Sequence, residues 1–373
     1  METIAPPSAP LTDLRALGRD ALVAFATGLG EPRFRGQQLW EWVHEKGATD
    51  FAAMSNLPAA FRARLAETAR IGTLVEVGRQ ESVDGTVKVL LRLPSGRHVE
   101  AVLIPDVRED GTARRLTACV SSQVGCAMAC SFCATGRMGF LENLTAGQIA
   151  DQAHAMHALA TERYGRGLTN VVYMGMGEPF QNYAAVVQSV GLITEGLGLA
   201  PRRVTVSTVG LARRIRDLAD DQAEGRAPAF GLAVSLHAPT DAQRSAIMPV
   251  NRSEKTDLTA LRDAVRHYHA RTGRSVTYEY CMFAGANDQD ADARALARVA
   301  HWAPSKVNLI MYNPVAGTGF GPSGEARLDA FIAVLVSKGV RVTVRRSRGQ
   351  DIDAACGQLA VAASPPESPV VGG

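Results

Sequence analysis

Three cysteines stand in the run Cys126-Ala127-Met128-Ala129-Cys130-Ser131-Phe132-Cys133, a CxxxCxxC spacing. Thiolates this close along a chain can hold three corners of a cubane 4Fe-4S cluster. Full protection of such a cluster takes four thiolates, so one iron would stay open to an outside ligand. An open iron suits radical chemistry with S-adenosylmethionine, whose amino and carboxylate groups can chelate it while one electron cleaves the sulfonium. The competing readings are a zinc site and three buried thiols. Structural zinc takes four ligands, commonly in CxxC-type pairs, and the chain has no second pair of that kind.

Other residues could share in such chemistry. Cys119 lies shortly before the run, and Cys356 sits far downstream in DIDAACGQL. Cys281, in YEYCMF, reads as a buried apolar thiol. Gly175, Gly177 and Glu178 follow the apolar stretch NVVYM. A carboxylate there could receive a cationic amino group, and the glycines let backbone come close; the plain alternative is a tight turn before Pro179. Ser207 ends RRVTVS, Ser235, Leu236 and His237 end the next apolar stretch, and Asn313 ends KVNLIMYN. Taken singly, each serine or asparagine is turn chemistry, and His237 is a hydrogen-bonded structural histidine. Their placement on successive strand ends is what joins them.

These residues need elements to position them. Residues 1–11 hold three prolines and read as a disordered tip. Over 12–71 the apolar residues recur at helical spacing, as in Phe34, Leu39, Trp40 and Val43, which predicts a small helical domain. Within 72–113, VKVLLRL and HVEAVLIP predict two strands about the turn Pro94-Ser95-Gly96, a strand-rich connection. From 114 to 362 the rhythm is strand then helix. RLTACVSS, LTNVVYMG, RRVTVST, AFGLAVSL, SVTYEYCMF and KVNLIMYN are the six strand candidates, and Thr145 with Gln148 marks a capping box after the first. Six units suggest an α/β array closing partway as a six-stranded partial barrel; a doubly wound sheet would give a similar rhythm. The tail 363–373 is rich in Pro, Gly and Ser and reads as disordered.

Bulk properties bound the class. The chain has 373 residues, and its 46% hydrophobic and 21% charged content is that of an ordinary soluble protein. No apolar run approaches the roughly 18 residues of a membrane span. The N-terminus METIAPPSAPLTDL has neither a basic start nor an apolar stretch, so no secretory signal is expected. Six cysteines, three of them in one run, fit a reducing cytoplasm rather than a disulfide scaffold. The net charge of +3 does not mark a nucleic-acid binder, and an excess of 35 Arg over 5 Lys is also what a GC-rich genome produces. Arg114, Arg115, Arg137, Arg341, Arg345, Arg346 and Arg348 could carry phosphates; a solvated charged face is the default for each.

The segment Cys119-Val-Ser-Ser-Gln-Val-Gly-Cys126, the cysteine run and Gly139-Phe140 resemble the RlmN/Cfr group of radical S-adenosylmethionine RNA methyltransferases. So do MGMGEP at 174–179, VSTVGL at 206–211, VSLHAP at 234–239 and RSRGQDIDAACGQL at 346–359. The resemblance covers nearly the whole chain beyond the first dozen residues. It implies a partial (βα)6 radical S-adenosylmethionine barrel with a small helical N-terminal domain that helps grip RNA. It implies a [4Fe-4S] cluster on Cys126, Cys130 and Cys133, and two S-adenosyl-L-methionine molecules per turnover, with Gly177, Glu178, Ser207, Ser235, Leu236, His237 and Asn313 as ligands. Cys356 would carry the methyl group, Cys119 would resolve a protein–RNA crosslink as a disulfide forms, and Glu100 would accept a proton. The plain alternative for Glu100 is a solvent-facing strand carboxylate.

The implied product is adenosine methylated at carbon-2 in 23S rRNA and in tRNA. The carbon-8 branch of the group, associated with antibiotic resistance, shares the mechanistic residues. A non-catalytic iron–sulfur or zinc RNA-binding module is the reading from a different class, and it leaves Cys119 and Cys356 without a use. The further expectations are an electron donor such as flavodoxin, a monomer, no membrane association and a cytoplasmic location.

Overall fold

The computed structural model describes residues 11–253 and 256–360. Of the tip expected at 1–11 only Leu11 is described, and the tail expected at 363–373 lies outside the described residues. The N-terminal unit contains β1 (Thr12–Asp13), α1 (Arg19–Gly28), α2 (Arg33–Trp40), a π-helical turn at Glu41–Glu45, α3 (Ala59–Thr68) and β2 (Ala69–Arg70). Leu22, Leu39, Trp40, Val43, Phe61 and Leu65 are fully buried, as their helical spacing requires. Phe34 departs from that pattern and is 48% exposed. The two-residue strands β1 and β2 pair in parallel and are too short to leave a period-two signal.

A buried ion pair fastens this unit to the rest. Arg15 Nε lies 3.1 Å from Asp151 Oδ1, with only 3% and 10% of the two side chains exposed. Arg15 also donates to the carbonyls of Val43 and Ala48, while Asp151 Oδ2 accepts from the Thr73 amide.

The remaining strands build one ten-stranded sheet. β3 (Val75–Glu81), β4 (Val87–Arg92), β5 (His98–Val107) and β6 (Ala113–Cys119) run antiparallel. The segment read from sequence as a connection therefore extends the main sheet. After β6 come β7 (Gln123–Gly125), the short α4 (Ala134–Arg137) and β8 (Phe140–Asn143), which form a separate two-stranded ribbon. Parallel winding then starts with α5 (Ala146–Tyr164), whose Thr145/Gln148 capping box is formed as predicted. It continues through β9 (Asn170–Tyr173), α6 (Tyr183–Gly196), β10 (Val204–Thr208), α7 (Ala212–Ala223) and β11 (Gly231–Ser235). Next are α8 (Asp241–Ile247), α9 (Val250–Ser253), α10 (Leu258–Thr272), β12 (Val276–Met282), α11 (Asp290–Ala300), β13 (Ser305–Met311), α12 (Glu325–Ser337) and β14 (Val342–Arg345).

The order β14-β13-β12-β11-β10-β9-β6-β5-β4-β3 makes every parallel neighbour sequential. This is the partial (βα)6 barrel, extended at one edge by a seventh parallel strand, β14, which the sequence reading did not count. Only four residues long and half polar, Val342–Arg345 carries little apolar periodicity.

Register settles which side chains share the inner face, because strand side chains alternate. Cys119 pairs with Val102, which pairs with Lys88, and in the other direction with Val172. Ser235, Glu279, Asn308 and Thr343 form another row. Cys281, Ile310 and Arg345 form the next. Counting by twos along each strand places Glu100, Cys119, Ser207, Ser235 and Arg345 on one face.

Asp151→Asn is expected to lower the unfolding free energy by about 3 kcal/mol, because it leaves the buried Arg15 guanidinium without its anion. Urea unfolding followed by the fluorescence of Trp40 and Trp42 reads the effect. An unchanged midpoint would remove the pair from the docking of the N-terminal unit.

Candidate functional site

The cysteine run is a tight loop. It begins where Gly125, at φ +71°, passes so close to Gly139 that a Cβ would sit 1.9 Å from the Gly139 carbonyl oxygen. The Cys126 amide donates to that carbonyl at 2.8 Å. Ala129 takes a left-handed conformation at φ 51°, an uncommon one for a residue with a Cβ. Cys133 caps α4, and its amide donates to the Cys130 carbonyl at 3.1 Å. Cys126 and Cys130 are buried and Cys133 is half-buried, and all six cysteines are free thiols.

Burial pushes the Cys126 thiol up to about 12 and raises those of Cys130 and Cys133. Proximity adds repulsion between the thiolates: Cys126 senses Cys133, and Cys130 senses both. Such thiols ionise only beside strong positive charge. Among the described residues no three His, Cys, Asp or Glu side chains converge tightly enough for a single metal ion. Ligands of one zinc sit within about 4 Å of each other, given Zn–S bonds of about 2.3 Å. Thiolates on separate corners of a cubane stand further apart, so the three thiols need not converge on one ion to hold a cluster.

A pocket of about 130 Å³ opens over the loop, lined by the three cysteines together with Gly175, Gly177, Glu178, Ser235, His237 and Cys356. Glu178 is 2% exposed. Its Oε1 accepts from the Phe180 amide at 2.9 Å and its Oε2 from the Val209 amide at 2.8 Å. Burial still lifts it to about 7, so a cationic group in the pocket would find a partner there. The glycines serve the chain's own packing. A Cβ on Gly177, at φ +97°, would lie 2.5 Å from Gln123 Cβ, and one on Gly175 2.7 Å from Ser121 Oγ. Ser121 Oγ accepts from the Met176 amide and donates to the Glu100 carbonyl, so one hydroxyl ties β5, the end of β6 and the glycine loop together.

His237 has φ 53°. Its Nδ1 accepts from the Cys281 amide at 3.0 Å, which puts the proton on Nε2, and burial lowers it to about 3. It is a neutral, hydrogen-bonded histidine that also lines the pocket. Ser207 Oγ meets Ser235 Oγ at 3.3 Å. Leu236 is fully buried, and its amide donates to the Glu279 carbonyl at 3.0 Å. Neither Ser207 nor Leu236 lines the pocket. Asn313 lines an adjoining cavity of about 30 Å³, where it donates to the Cys356 carbonyl at 3.4 Å and accepts from Gln350.

Cys356 lines both spaces. Its loop is pinned by Ala134, whose amide donates to the Gly357 carbonyl at 2.9 Å. Cys119 is buried on β6, and burial pushes its thiol up to about 12. Glu100 is buried, not solvent-facing: Lys88 Nζ lies 3.2 Å from its Oε1, and its Oε2 has no partner. It opens onto a cavity of about 670 Å³ shared with Asp353 and Gln358.

Two arginines carry more of the site than the sequence suggested. Arg244 is fully buried and donates to Asn251, to the Thr256 carbonyl and to the Val209 carbonyl, with its charge facing Cys130. Nothing in its motif-free surroundings signals this. Arg345 had been grouped with the phosphate-binding candidates, yet its guanidinium turns inward and meets Met174 Sδ at 3.3 Å. Nothing in the four-residue stretch VTVR signals which way it faces. Of the others, Arg114 pairs with Asp106, Arg137 donates to the Ala316 carbonyl, and Arg346 stands 4.0 Å from Glu325.

Gly177→Ala is expected to reduce stability by about 2 kcal/mol, through a left-handed residue forced to carry a Cβ and the overpacking against Gln123. Cluster content after reconstitution should fall with it. Gly191→Ala, in α6 with nothing within 4 Å of the added Cβ, should leave the cluster intact and stabilise by roughly 0.5 kcal/mol. Urea unfolding and iron analysis of both variants check the contrast.

Comparison with known proteins bears on the whole chain. Residues 12–71 match the ribosomal RNA large subunit methyltransferase N-terminal domain, and residues 120–297 match the radical SAM superfamily. That superfamily brings a 4Fe-4S cluster and S-adenosylmethionine as cofactors, consistent with the donor set above. A probable dual-specificity RNA methyltransferase RlmN from Salinibacter ruber is 58% identical over 93% of this chain and 94% of its own length. The dual-specificity RNA methyltransferase RlmN of Solidesulfovibrio magneticus is 43% identical over 94% and 96%. The crystal structure of a radical SAM methyltransferase from Sphaerobacter thermophilus superposes with a TM-score of 0.87 at 43% identity, covering 94% of this chain and 99% of that one. Likeness of this degree, sustained through the helical unit and the barrel alike, means that the chain belongs to the RlmN family of dual-specificity RNA methyltransferases, enzymes of the radical SAM superfamily.

Proposed function

We propose that this methyltransferase acts on carbon-2 of an adenosine in 23S rRNA and in tRNA, through a methyl group carried on Cys356 and a transient protein–RNA crosslink. The supporting observation is that Cys356, remote in sequence, shares one pocket with Cys126, Cys130 and Cys133 and lies within electrostatic reach of Cys119. Adenine carbon-2 is electron-poor and unactivated, so it cannot displace a sulfonium by itself. A thiolate can. Cys356 would take the methyl of one S-adenosylmethionine, and S-adenosylhomocysteine would leave.

Cys126, Cys130 and Cys133 would hold the cluster. Glu178 would receive the amino group of S-adenosylmethionine, with Gly177, Ser207, Ser235, Leu236, His237 and Asn313 around its carboxylate, ribose and adenine. When bound, the cluster and a second S-adenosylmethionine would supply a 5′-deoxyadenosyl radical, and the oxidised cluster would take back the one electron left on the adduct when its carbon-2 proton leaves. Cys356 would present its thioether methyl, lose a hydrogen atom and bond through the remaining carbon to carbon-2. Glu100, held by Lys88 with one oxygen uncommitted, would accept the carbon-2 proton. Cys119 would then attack Cys356 sulfur and free the product. The disulfide so formed must be reduced between turnovers, which requires a reducing compartment such as the cytoplasm, with a small electron donor such as flavodoxin serving the radical step. The helical unit at 12–71 would grip the RNA.

Cys126→Ala, Cys130→Ala and Cys133→Ala are each expected to abolish the brown chromophore and all RNA methylation. A Cys130→Ala enzyme with full iron content and normal turnover would sink the cluster assignment.

Purified enzyme should carry a methyl group on the Cys356 peptide, visible as a mass increment. Cys119→Ala should accumulate protein covalently bound to RNA on a denaturing gel. Cys356→Ala should keep the cluster while losing both methylation and the crosslink. Turnover by Cys356→Ala would refute the methyl-carrier route. Mass analysis that placed the product methyl on carbon-8 would overturn the regiochemistry alone.

A further inference from the structure

Arg345 occupies an unusual position for an arginine. It ends β14 on the inner face, in register with Ile310 and Cys281. Its guanidinium crosses the barrel mouth to Met174 Sδ at 3.3 Å, a weak acceptor. Met174 lies two residues beyond Val172, the register partner of Cys119. On its other side Arg345 shares the 30 Å³ cavity with Cys356, Asn313 and Ser347, whose Oγ is buried without a partner. Among the described residues Arg345 makes no ion pair, although the Glu279 carboxylate, bound to Asn308 Nδ2 at 2.7 Å, is within electrostatic reach. A half-buried guanidinium spent on a thioether is poorly matched to a structural role. Between two thiols that must react with each other, it is well matched.

We propose that Arg345 is the positioning residue of the resolving step, holding the Cys119 thiolate in place for attack on Cys356 sulfur. The inference rests on the resolving role given to Cys119 above. In that step the Cys119 thiolate forms the new S–S bond with Cys356 sulfur. The Cys356 S–CH2 bond breaks, and its electron pair goes to the methylene carbon, which takes up a proton and becomes the product methyl. Both sulfurs are oxidised and the carbon is reduced, so no outside oxidant is needed.

Cys119 can act only as a thiolate, and burial opposes its ionisation. The charged and titratable groups around it are few. Arg345 from β14 favours the thiolate, and Cys356 from the C-terminal loop opposes it. Glu279 from β12 partly offsets the guanidinium. Lys88 and Glu100, from β4 and β5, are paired with each other, and Arg348 lies on the exposed outer wall of the cavity.

The test uses cluster-loaded Arg345→Met and Arg345→Lys. The first measurement is the rate at which a small haloacetamide alkylates the Cys119 peptide, followed by mass at several values between about pH 7 and pH 9. Loss of the guanidinium raises the thiol further. One unit cuts the thiolate tenfold, and the gain in intrinsic nucleophilicity returns part of that, so the Arg345→Met rate should fall by about threefold or more at every pH. The second measurement is the lifetime of the RNA crosslink, which should lengthen in Arg345→Met, shorten again as the pH rises, and lie between the extremes in Arg345→Lys.

Unchanged alkylation rates would overturn the proposal. So would Arg345→Lys behaving like Arg345→Met in both measurements, because the charge would then not be the agent; where Arg345→Met folds poorly, the uncharged Arg345→Gln takes its place in both comparisons. A slowed alkylation with an unchanged crosslink lifetime would overturn the role given to Arg345 and leave the resolving cysteine standing. Failure of Cys119→Ala to trap RNA would instead overturn the resolving role itself.

Discussion

A thiol in a dry interior resists ionisation, yet every sulfur reaction assigned to this barrel needs a thiolate. Cys119, Cys126, Cys130, Cys133 and Cys356 all lie where burial raises their thiols. Placing them there keeps water from quenching reactive carbon and sulfur species. The same placement makes each sulfur depend on a cation supplied beside it. For the three loop cysteines the iron of the cluster proposed there would be that cation, with Arg244 reinforcing Cys130. For Cys119 and Cys356 it is Arg345. The division leaves two groups of thiols in one small volume with separate sources of positive charge, and hence separate reactivities.

The sheet solves the positioning problem by parity. Glu100, Cys119, Ser207, Ser235 and Arg345 come from five strands, and the side-chain alternation of each strand delivers them to one face. Three antiparallel strands, β3 to β5, continue the parallel array, so Glu100 lies on the same surface as Cys119 although it belongs to a hairpin and not to a βα unit. A one-residue slip of β5 against β6 would turn Glu100 to the opposite face. The Ser121 hydroxyl, bonded to the Glu100 carbonyl and the Met176 amide, holds that register where it meets the glycine loop.

Close backbone approach does the rest. Gly125 against Gly139 and Gly177 against Gln123 let the segment after β6 fold back under the pocket. The MGMGEP motif therefore works first as internal packing, and Glu178 reaches the pocket because the turn beneath it has no side chains in the way. The N-terminal unit is joined by two devices: its apolar residues run into one core with those of α5 and α6, and the buried pair of Arg15 and Asp151 adds charge at that seam.

The sequence by itself determined what depends on spacing along the chain. The CxxxCxxC run, the six strand–helix repeats, the Thr145 capping box and the ordered motifs from Cys119 to Cys356 were all legible there, because each is a local pattern of residue type. The helical character of the N-terminal unit was legible too, although Phe34 turned out exposed. Tertiary structure alone decided what depends on register and on neighbours distant in sequence. It joined β3–β5 to the main sheet, added β14 as a seventh parallel strand, and buried Glu100 beside Lys88. It also made His237 a neutral acceptor of the Cys281 amide and turned Arg345 inward to lie between two cysteines. An arginine in VTVR looks the same in sequence whether it faces water or thiols. The face is set by strand pairing, and strand pairing is a long-range choice that no single stretch of this chain records.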